Sequence, residues 1–369
     1  MRKEFIYQHS GWPDFTWDKE KILVLLSEVK QKKGLFLGKM TSLGLLLQEK
    51  ANLSTITENI VKSSEIEGQI LNVEAVRSSV AKRLGVELER SVAAGRDVDA
   101  IVSMMMDAIH NCNLPMTKER LFGWHNALFS SGYSGIFKIK VAAFREGEMQ
   151  IVSGVIGKEK VHFTAPPPQT LNGEMDKFLE WLNNDNSCDL IIKAATAHLW
   201  FVTLHPFDDG NGRIARAITD MLLVKADNSE KRFYSMSAQI QKMKSGYYKI
   251  LEQTQKGGLD ISGWLEWFLN CLSDSIDFSE KLLSSVLKKH YFRQKAADLH
   301  LNPRQIKIVN MLFDGFKGSL TASKMAKITK TSHDTATRDI AELMACGILA
   351  KKGDGRSTQY VIKDDEKIT

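Results

Sequence analysis

Cysteine is scarce in this sequence. The four cysteines in 369 residues, Cys112, Cys188, Cys271 and Cys346, stand far apart, with no C-x-x-C pair among them. That spacing argues against a disulfide framework or a cysteine-based zinc site and fits free thiols in a reducing compartment. Long apolar runs are lacking as well: none approaches the length that crosses a bilayer, and the opening MRKEFIYQHSGWPDF has no apolar segment of the signal-peptide kind. The expectation is a soluble, cytoplasmic protein with no membrane partner. Charge of one sign is not dominant either. Fifty Lys and Arg against 44 Asp and Glu give +6, a mildly basic balance that by itself implies no nucleic-acid partner. Internal repeats and low-complexity stretches are absent. What remains is an ordinary globular composition on a chain long enough for one large domain and a smaller one.

Proline is also rare. Three of the seven prolines sit together at Pro166 to Pro168, and the others fall where segments begin or end, so the chain reads mostly as helix. Over 18–47 apolar residues recur at mixed three and four spacing with an interruption near Gly34, which predicts a helical hairpin or a bent long helix. A second amphipathic helix is expected over 53–67, with Gly68 placed to end it. After a polar stretch at 85–99, helices are predicted at 97–112 and 117–130. A β-hairpin is predicted at 149–164, where MQIVSG, a Gly/Lys-rich turn and VHFT form a strand–turn–strand pattern. Further helices are expected at 170–183, 189–204, 212–226, 240–254 and 260–274. The helix over 189–204 is apolar nearly all round and belongs at the centre of its domain, so whatever sits at its C-terminal end is held by a rigid element.

The last seventy or so residues read as a separate module. Asn302-Pro303 opens a helix, Thr321 begins a short one, and Ser332 caps a third that runs to Cys346, with Gly347 after it. Strands at 348–352 and 358–362, joined by Gly353-Asp354-Gly355-Arg356, follow. Three helices and a two-stranded wing resemble a winged helix-turn-helix. From 302 to 362 there are ten Lys/Arg against five Asp/Glu. Ser332, His333, Thr335, Thr337 and Arg338 on the third helix, with Lys351, Lys352 and Arg356 in the wing, are compatible with DNA contact. Dimerisation or target docking accounts for such a module equally well.

The chemistry concentrates where the apolar helix ends, in His205-Pro206-Phe207-Asp208-Asp209-Gly210-Asn211-Gly212-Arg213-Ile214-Ala215-Arg216. Pro206 stops the helix and leaves the His205 ring free to face a cleft. Gly210 and Gly212 permit tight backbone turns whose N–H groups converge, and the next helix begins there, so its positive end faces the same centre. Asp209 is an acceptor-only side chain suited to Mg²⁺ with phosphate oxygens. Arg213 and Arg216, three residues apart, share a helix face on which both reach phosphates. A lone G-x-G before a helix is as often a mere turn; the histidine, the aspartate and the two arginines around it point to an anion site.

This segment resembles the Fic family signature H-x-F-x-[DE]-G-N-G-R-x-x-R at every specified position, and the resemblance extends over roughly residues 1–285. It implies a mainly α fold, a Fic-type helical core with a β-hairpin flap and an N-terminal helical extension, to which the winged helix-turn-helix read above is the C-terminal addition. The divisions expected are 1–95 for the helical extension, 96–285 for the core, 286–301 for a helical linker and 302–369 for the winged module. The implied activity is transfer of AMP from ATP to a Ser, Thr or Tyr hydroxyl of a target protein, self-modification included, with a homodimer expected. By the same resemblance His205 is the general base, and Phe207 packs into the core. Asp209 holds Mg²⁺ or Mn²⁺ at the α- and β-phosphates. The N–H groups around Gly210, Asn211 and Gly212, with the Asn211 side chain, stabilise the α-phosphate, while Arg213 takes the β-phosphate and Arg216 the γ-phosphate. The hairpin corresponds to a flap that holds the target by strand pairing, with Ile151, Val152, Ser153 and Gly154 on the nucleotide side. Tyr247 and Tyr248 resemble the aromatic pair beside adenine, with Gln255 on the same helix; ordinary core packing is the alternative reading, more so for Gln255 than for the tyrosines.

The helix ending at Gly68 carries an anomaly of its own. Ile56, Ile60, Ser63 and Glu67 form one stripe, so a carboxylate ends an inward face and needs a partner. Alone, Ser-x-x-x-Glu is an ordinary helix end. Beside the Fic signature, Ser63-x-x-x-Glu67-Gly68 resembles the family's inhibitory motif [ST]-x-x-x-E-[GN], which implies that Glu67 pairs with Arg216 and holds ATP in an unproductive pose. Other readings are a DNA-binding regulator with a nucleotide-sensing core, or a Fic enzyme that removes AMP. A metallohydrolase is weakest, since His198 and His205 are not accompanied by a ligand set.

Overall fold

The computed structural model describes residues 5–154, 160–298, 301–313, 316, 318–355 and 358–363. The chain falls into two compact units, 1–279 and 280–369.

In the first unit, α1 (Lys19–Thr41) begins at Asp18, whose side chain accepts from Lys21 N, and runs without a break through Gly34. The interruption expected at Gly34 lies instead at 42–44, between α1 and α2 (Leu45–Ile66). A glycine costs a helix only about 1 kcal/mol, and the buried stripe Ile22, Leu26, Val29, Phe36, Met40 carries the helix past it. α3 (Val73–Leu84) was not foreseen by periodicity; Asn72 caps its start and Gly85, at φ 68°, ends it. α4 (Arg96–His110) and α5 (Lys118–Leu128) follow, then a short hairpin, β1 (Tyr133–Ser134) with β2 (Phe137–Lys138), also unforeseen.

β3 (Gln150–Ser153) and β4 (Lys160–Thr164) form the hairpin expected at 149–164; residues 155–159 between them lie outside the described residues. α6 (Leu171–Asn184) leads into α7 (Leu190–Leu204), which is buried on every side. α8 (Asn211–Asp227) packs back along α7, and α4, α5 and α2 pack against α8. The helix expected at 240–254 is two, α9 (Met236–Lys242) and α10 (Lys244–Gln255), parted at Met243. α11 (Ser262–Asp298) is far longer than the 260–274 expected.

A buried polar network ties these helices together. Asp220 of α8 accepts from Asn59 of α2 (2.7 Å) and from Arg232 (3.1 Å), and Asp227 pairs with both Arg232 (3.1 Å) and Lys33 of α1 (2.9 Å). Asn59 also accepts from Ser235 at 2.7 Å. Such a network holds only if each charge keeps its partner, and here it fixes α2 on α8.

The second unit contains α12 (Pro303–Phe313), α13 (Ala322–Thr329) and α14 (His333–Ala345), then β5 (Leu349–Lys352) antiparallel to β6 (Gln359–Ile362). Leu320 adds a single bridge to Tyr360. Ile308, Val309, Leu320, Met325, Ile340, Leu343 and Leu349 form its core, and buried Asp339 accepts from Asn302 and Arg304. Among the described residues no helix is long and apolar enough to cross a membrane.

Candidate active site

His205 terminates α7 in the left-handed region, φ 47° and ψ 58°, a conformation that turns the chain away at Pro206. Its Nδ1 lies 3.2 Å from the carbonyl oxygen of Val202, so Nδ1 carries the proton and donates, leaving Nε2 as the nitrogen with a free lone pair. Burial lowers the pKa of this ring below its ordinary value; the Val202 bond works against that shift and the Arg145 charge adds to it.

The loop after His205 is braced from several directions. Phe207 is fully buried and stacks on His125 at 4.2 Å between centroids. Phe207 N donates to the Asn211 side-chain oxygen (2.9 Å), and the Asn211 amide donates back to Phe207 O (2.8 Å). The Asn211 side chain thus closes the loop through this reciprocal pair, at the first residue of α8. Arg145, buried, donates to the carbonyls of His205 (2.8 Å), Gly147 (2.7 Å) and Pro166 (2.5 Å), while its own N–H donates to Pro206 O. His125 accepts from Ala142 N at Nδ1 (3.1 Å) and thus donates from Nε2 to Asp209 O (3.2 Å). Burial brings its pKa down to about 4, so this ring is neutral. Arg145 and His125 were missed by sequence reasoning, because they reach the loop from distant segments and belong to no local motif.

Asp209 accepts from Gly210 N at Oδ1 (2.5 Å) and from the Ser134 hydroxyl at Oδ2; its side chain is 41% exposed. Gly210 has φ 83°, and a Cβ there would meet the Phe129 ring at 2.7 Å, so both conformation and space require glycine. Arg213 is buried beneath the loop, with its guanidinium 4.8 Å from the Phe129 ring centre and Nη1 donating to Gln69 Oε1 at 2.8 Å.

Arg216 is 2% exposed. Its Nε donates to Ser63 Oγ (2.9 Å), and Nη2 donates to Ser63 O (2.8 Å) and to Glu67 Oε1 (2.7 Å). Burial opposes the Arg216 charge, but the attraction of Glu67 prevails and raises its pKa. The remaining nitrogen, Nη1, is buried with no hydrogen-bond acceptor among the described residues. It lies beside Gly212, and a Cβ on Gly212 would collide with Glu67 Oε1. The Glu67 carboxylate thus rests on the N-terminal end of α8, where an anion is favoured. The segment carrying it ends α2 in a tight turn: Gly68 has φ 82°, and Gln69 N donates to Ser64 O at 3.0 Å.

A cavity of about 660 Å³ opens here, lined by Glu67, His205 and Gly212 on one side and by Ile151, Val152, Ser153, Tyr247, Tyr248 and Gln255 on others. The structure thus brings most of the expected nucleotide residues to one space. Gly154, at φ 111°, is not among its lining residues, nor are Asp209, Gly210, Asn211, Arg213 and Arg216. Tyr247 is nearly buried, and its hydroxyl bonds to His198 Nε2 at 2.8 Å, so it serves the core as well as the wall. Gln255 is likewise buried, with its amide on Thr203 Oγ1. His198, fully buried with its pKa depressed to about 3 by burial, is a neutral core residue rather than a ligand. Among the described residues no group of three or more His, Cys, Asp or Glu is placed to hold a metal.

Residues 115–223 match the Fic/DOC family, and residues 5–86 match a domain of unknown function, DUF4172. The protein carries a Fic/DOC family domain. "Protein adenylyltransferase Fic" of Drosophila virilis is 25% identical over 226 residues, which is 60% of this chain and 42% of that protein. The protein of the same name from Drosophila melanogaster is 32% identical over 114 residues, 30% of this chain and 22% of that one. This chain thus spans about two fifths of the length of the first of these relatives. In structure, a Fic family protein from Desulfovibrio desulfuricans aligns with a TM-score of 0.53 at 19% identity, covering 96% of this chain and 99% of that one. Fic-1 from C. elegans aligns at 0.50 and 16% identity, covering 72% and 74%. The fold is the helical Fic fold.

Proposed function

We propose that this Fic domain transfers AMP from ATP to a hydroxyl side chain of a protein, and that Glu67 holds the resting chain mostly off. The observation that carries the reading is the Glu67 carboxylate on the N-terminal end of α8, paired with Arg216 and overlying Gly212. A carboxylate there marks the spot as an anion site, and the unpartnered Nη1 of Arg216 beside it is a donor in want of an oxygen. The names of the curated relatives agree with it.

In this reading the triphosphate of ATP takes the place of the Glu67 carboxylate. Backbone N–H groups at the start of α8, with Arg213 and Arg216, stabilise phosphate charge through preorganised donors. The target hydroxyl oxygen attacks the α-phosphorus, its proton passes to His205 Nε2, and the bond to the β-phosphate oxygen breaks to release pyrophosphate. His205 is prepared for this because the Val202 carbonyl holds its proton on Nδ1 and the low pKa keeps the ring neutral. Asp209 fits Mg²⁺ or Mn²⁺: it is acceptor-only and partly exposed, and one carboxylate with phosphate oxygens suffices for such an ion. When bound, the cation neutralises charge on the phosphates. The outer edge of β3, which among the described residues pairs with β4 alone, suits an extended target segment by strand addition.

The C-terminal unit reads as a winged helix-turn-helix. His333, Thr337, Arg338 and Lys352 are exposed and suit DNA phosphates, whereas the Ser332 hydroxyl caps α14 and Lys351 pairs with Asp354 at 2.6 Å. Arg356 lies outside the described residues. DNA affinity that falls steeply with salt would support a DNA role, and salt-insensitive or absent binding would assign the unit to protein contact.

The test of the enzymatic reading is AMP incorporation from labelled ATP by wild type, Glu67→Gly and His205→Ala. Transfer raised by the first substitution and abolished by the second supports it. Absence of transfer by every form contradicts it.

A further inference from the structure

The cavity holds a second histidine with a nucleophile beside it. The Ser153 hydroxyl lies 2.5 Å from His162 Nε2, and His162 Nδ1 lies 2.7 Å from Glu252 Oε2. All three residues line the cavity that also contains His205, Gly212 and Glu67. Glu252 is in turn paired through Oε1 with Lys256. That pairing, with the His162 bond, keeps its carboxyl ionised, with a pKa of about 2. An ionised Glu252 accepts the proton of Nδ1, which fixes the tautomer of His162. Nε2 is then the basic nitrogen, and Ser153 donates its O–H to it. Nucleophile, base and orienting carboxylate stand in the order of a Ser–His–acid relay.

The backbone makes this arrangement possible. Along the hairpin Ile151 pairs with Phe163 but Val152 pairs with Val161, so β4 carries His162 as one residue in excess, a bulge. A bulge bends the strand and re-aims side chains, and such features recur beside active sites. Here it turns His162 to meet Ser153 on the neighbouring strand and Glu252 on α10. A packing role alone would not call for the chain Ser153–His162–Glu252–Lys256. Ser153 itself is exposed, hence open to a reactant entering the cavity.

We propose that Ser153 is an internal acceptor of AMP, activated by His162 and not only by the loop histidine. The inference rests on the reading of the cavity as an ATP site. Ser153 Oγ forms a bond to the α-phosphorus of ATP while the bond from that phosphorus to the β-phosphate oxygen breaks. The hydroxyl proton moves to His162 Nε2 and then to solvent, and pyrophosphate leaves. The product carries AMP on the flap, inside the cavity, where it blocks the next ATP. Self-modification at this position is therefore a brake on the enzyme that Glu67 no longer restrains.

The experiment uses the full chain as Glu67→Gly, incubated with ATP and Mg²⁺, then mapped by peptide mass spectrometry. The expected result is one added AMP on Ser153, its yield falling at least about tenfold in Glu67→Gly/His162→Gln, the loss expected when a general base is removed. The His162→Gln protein is checked by thermal unfolding, and Glu67→Gly/Glu252→Gln serves as a second route to weaken the relay. Transfer of AMP to lysate proteins with Ser153 recovered unmodified overturns the inference and leaves the enzymatic reading intact. Modified Ser153 whose yield is unchanged in both relay variants overturns the role of His162. No AMP on any protein overturns the enzymatic reading and this inference with it.

Discussion

The Glu67 carboxylate and the Arg216 guanidinium meet at 2.7 Å over Gly212, where helix α8 begins. The arginine expected to hold the γ-phosphate thus has a resident partner, and that partner stands on the helix end the phosphates need. Inhibition in this account is competition for one site.

Arg216 depends on Ser63 as much as on Glu67. Ser63→Ala removes the acceptor for Nε and leaves a buried charged donor unpaired, at a cost of about 1–3 kcal/mol. Urea unfolding of the single variant measures it. An unchanged midpoint contradicts the assignment.

Gln69 holds Arg213 as Glu67 holds Arg216: its side-chain oxygen accepts from Arg213 Nη1 at 2.8 Å. Gln69→Ala is expected to raise AMP transfer about tenfold or more, and to add to Glu67→Gly, because a hydrogen bond to a charged group is worth roughly 1.5–3 kcal/mol. The readout is initial rate and KM for ATP in single and double variants. A double variant no faster than Glu67→Gly, with the same KM, removes Gln69 from the mechanism.

The network beneath α2 holds the helix that carries Ser63 and leads to Glu67. Asp220→Ala deprives Asn59 and Arg232 of an acceptor and is expected to cost about 3–5 kcal/mol, the range for breaking a buried pair. A loss below about 1 kcal/mol in urea unfolding, within the range of an exposed pair, means that the network is not what fixes α2.

His125 and His198 are buried neutral, with pKa values of about 4 and about 3 against an ordinary 6.5. The unfolded chain binds protons on these rings below pH 6.5 while the folded chain does not. Stability is therefore full above pH 6.5 and falls as pH drops from 6.5 towards 4, by on the order of 3 kcal/mol for each ring at the lower end. Unfolding free energies at pH 7.5, 6 and 5 check the sign; a flat profile over that range contradicts it.

The loop from His205 to Arg216 was legible because its residues are contiguous. Twelve residues specify a helix stop, two glycine turns and a new helix, and the structure bends them as the local rules require. The stripe that ends in Glu67 was legible for the same reason, from the spacing of Ile56, Ile60, Ser63 and Glu67. What escaped reading meets the loop from elsewhere in the chain: Arg145 binding the His205 carbonyl, His125 stacked on Phe207, Ser134 on Asp209 and Gln69 on Arg213. Periodicity reports which face of a helix is buried, not which distant residue meets it. The reciprocal pair of Asn211 with Phe207 escaped as well, because it depends on the folded loop. The break at Met243 escaped because the apolar spacing continues across it.

The most direct test of the central claim is the rate of labelled AMP incorporation into protein by wild type, Glu67→Gly and Glu67→Gly/His205→Ala under one set of conditions. The account predicts that Glu67→Gly exceeds wild type by about tenfold or more, the factor that corresponds to roughly 1.4 kcal/mol released at Arg216. Adding His205→Ala should then reduce the rate by about 10²–10⁴-fold. Equal rates for wild type and Glu67→Gly, or a rate that survives the loss of His205, would contradict it.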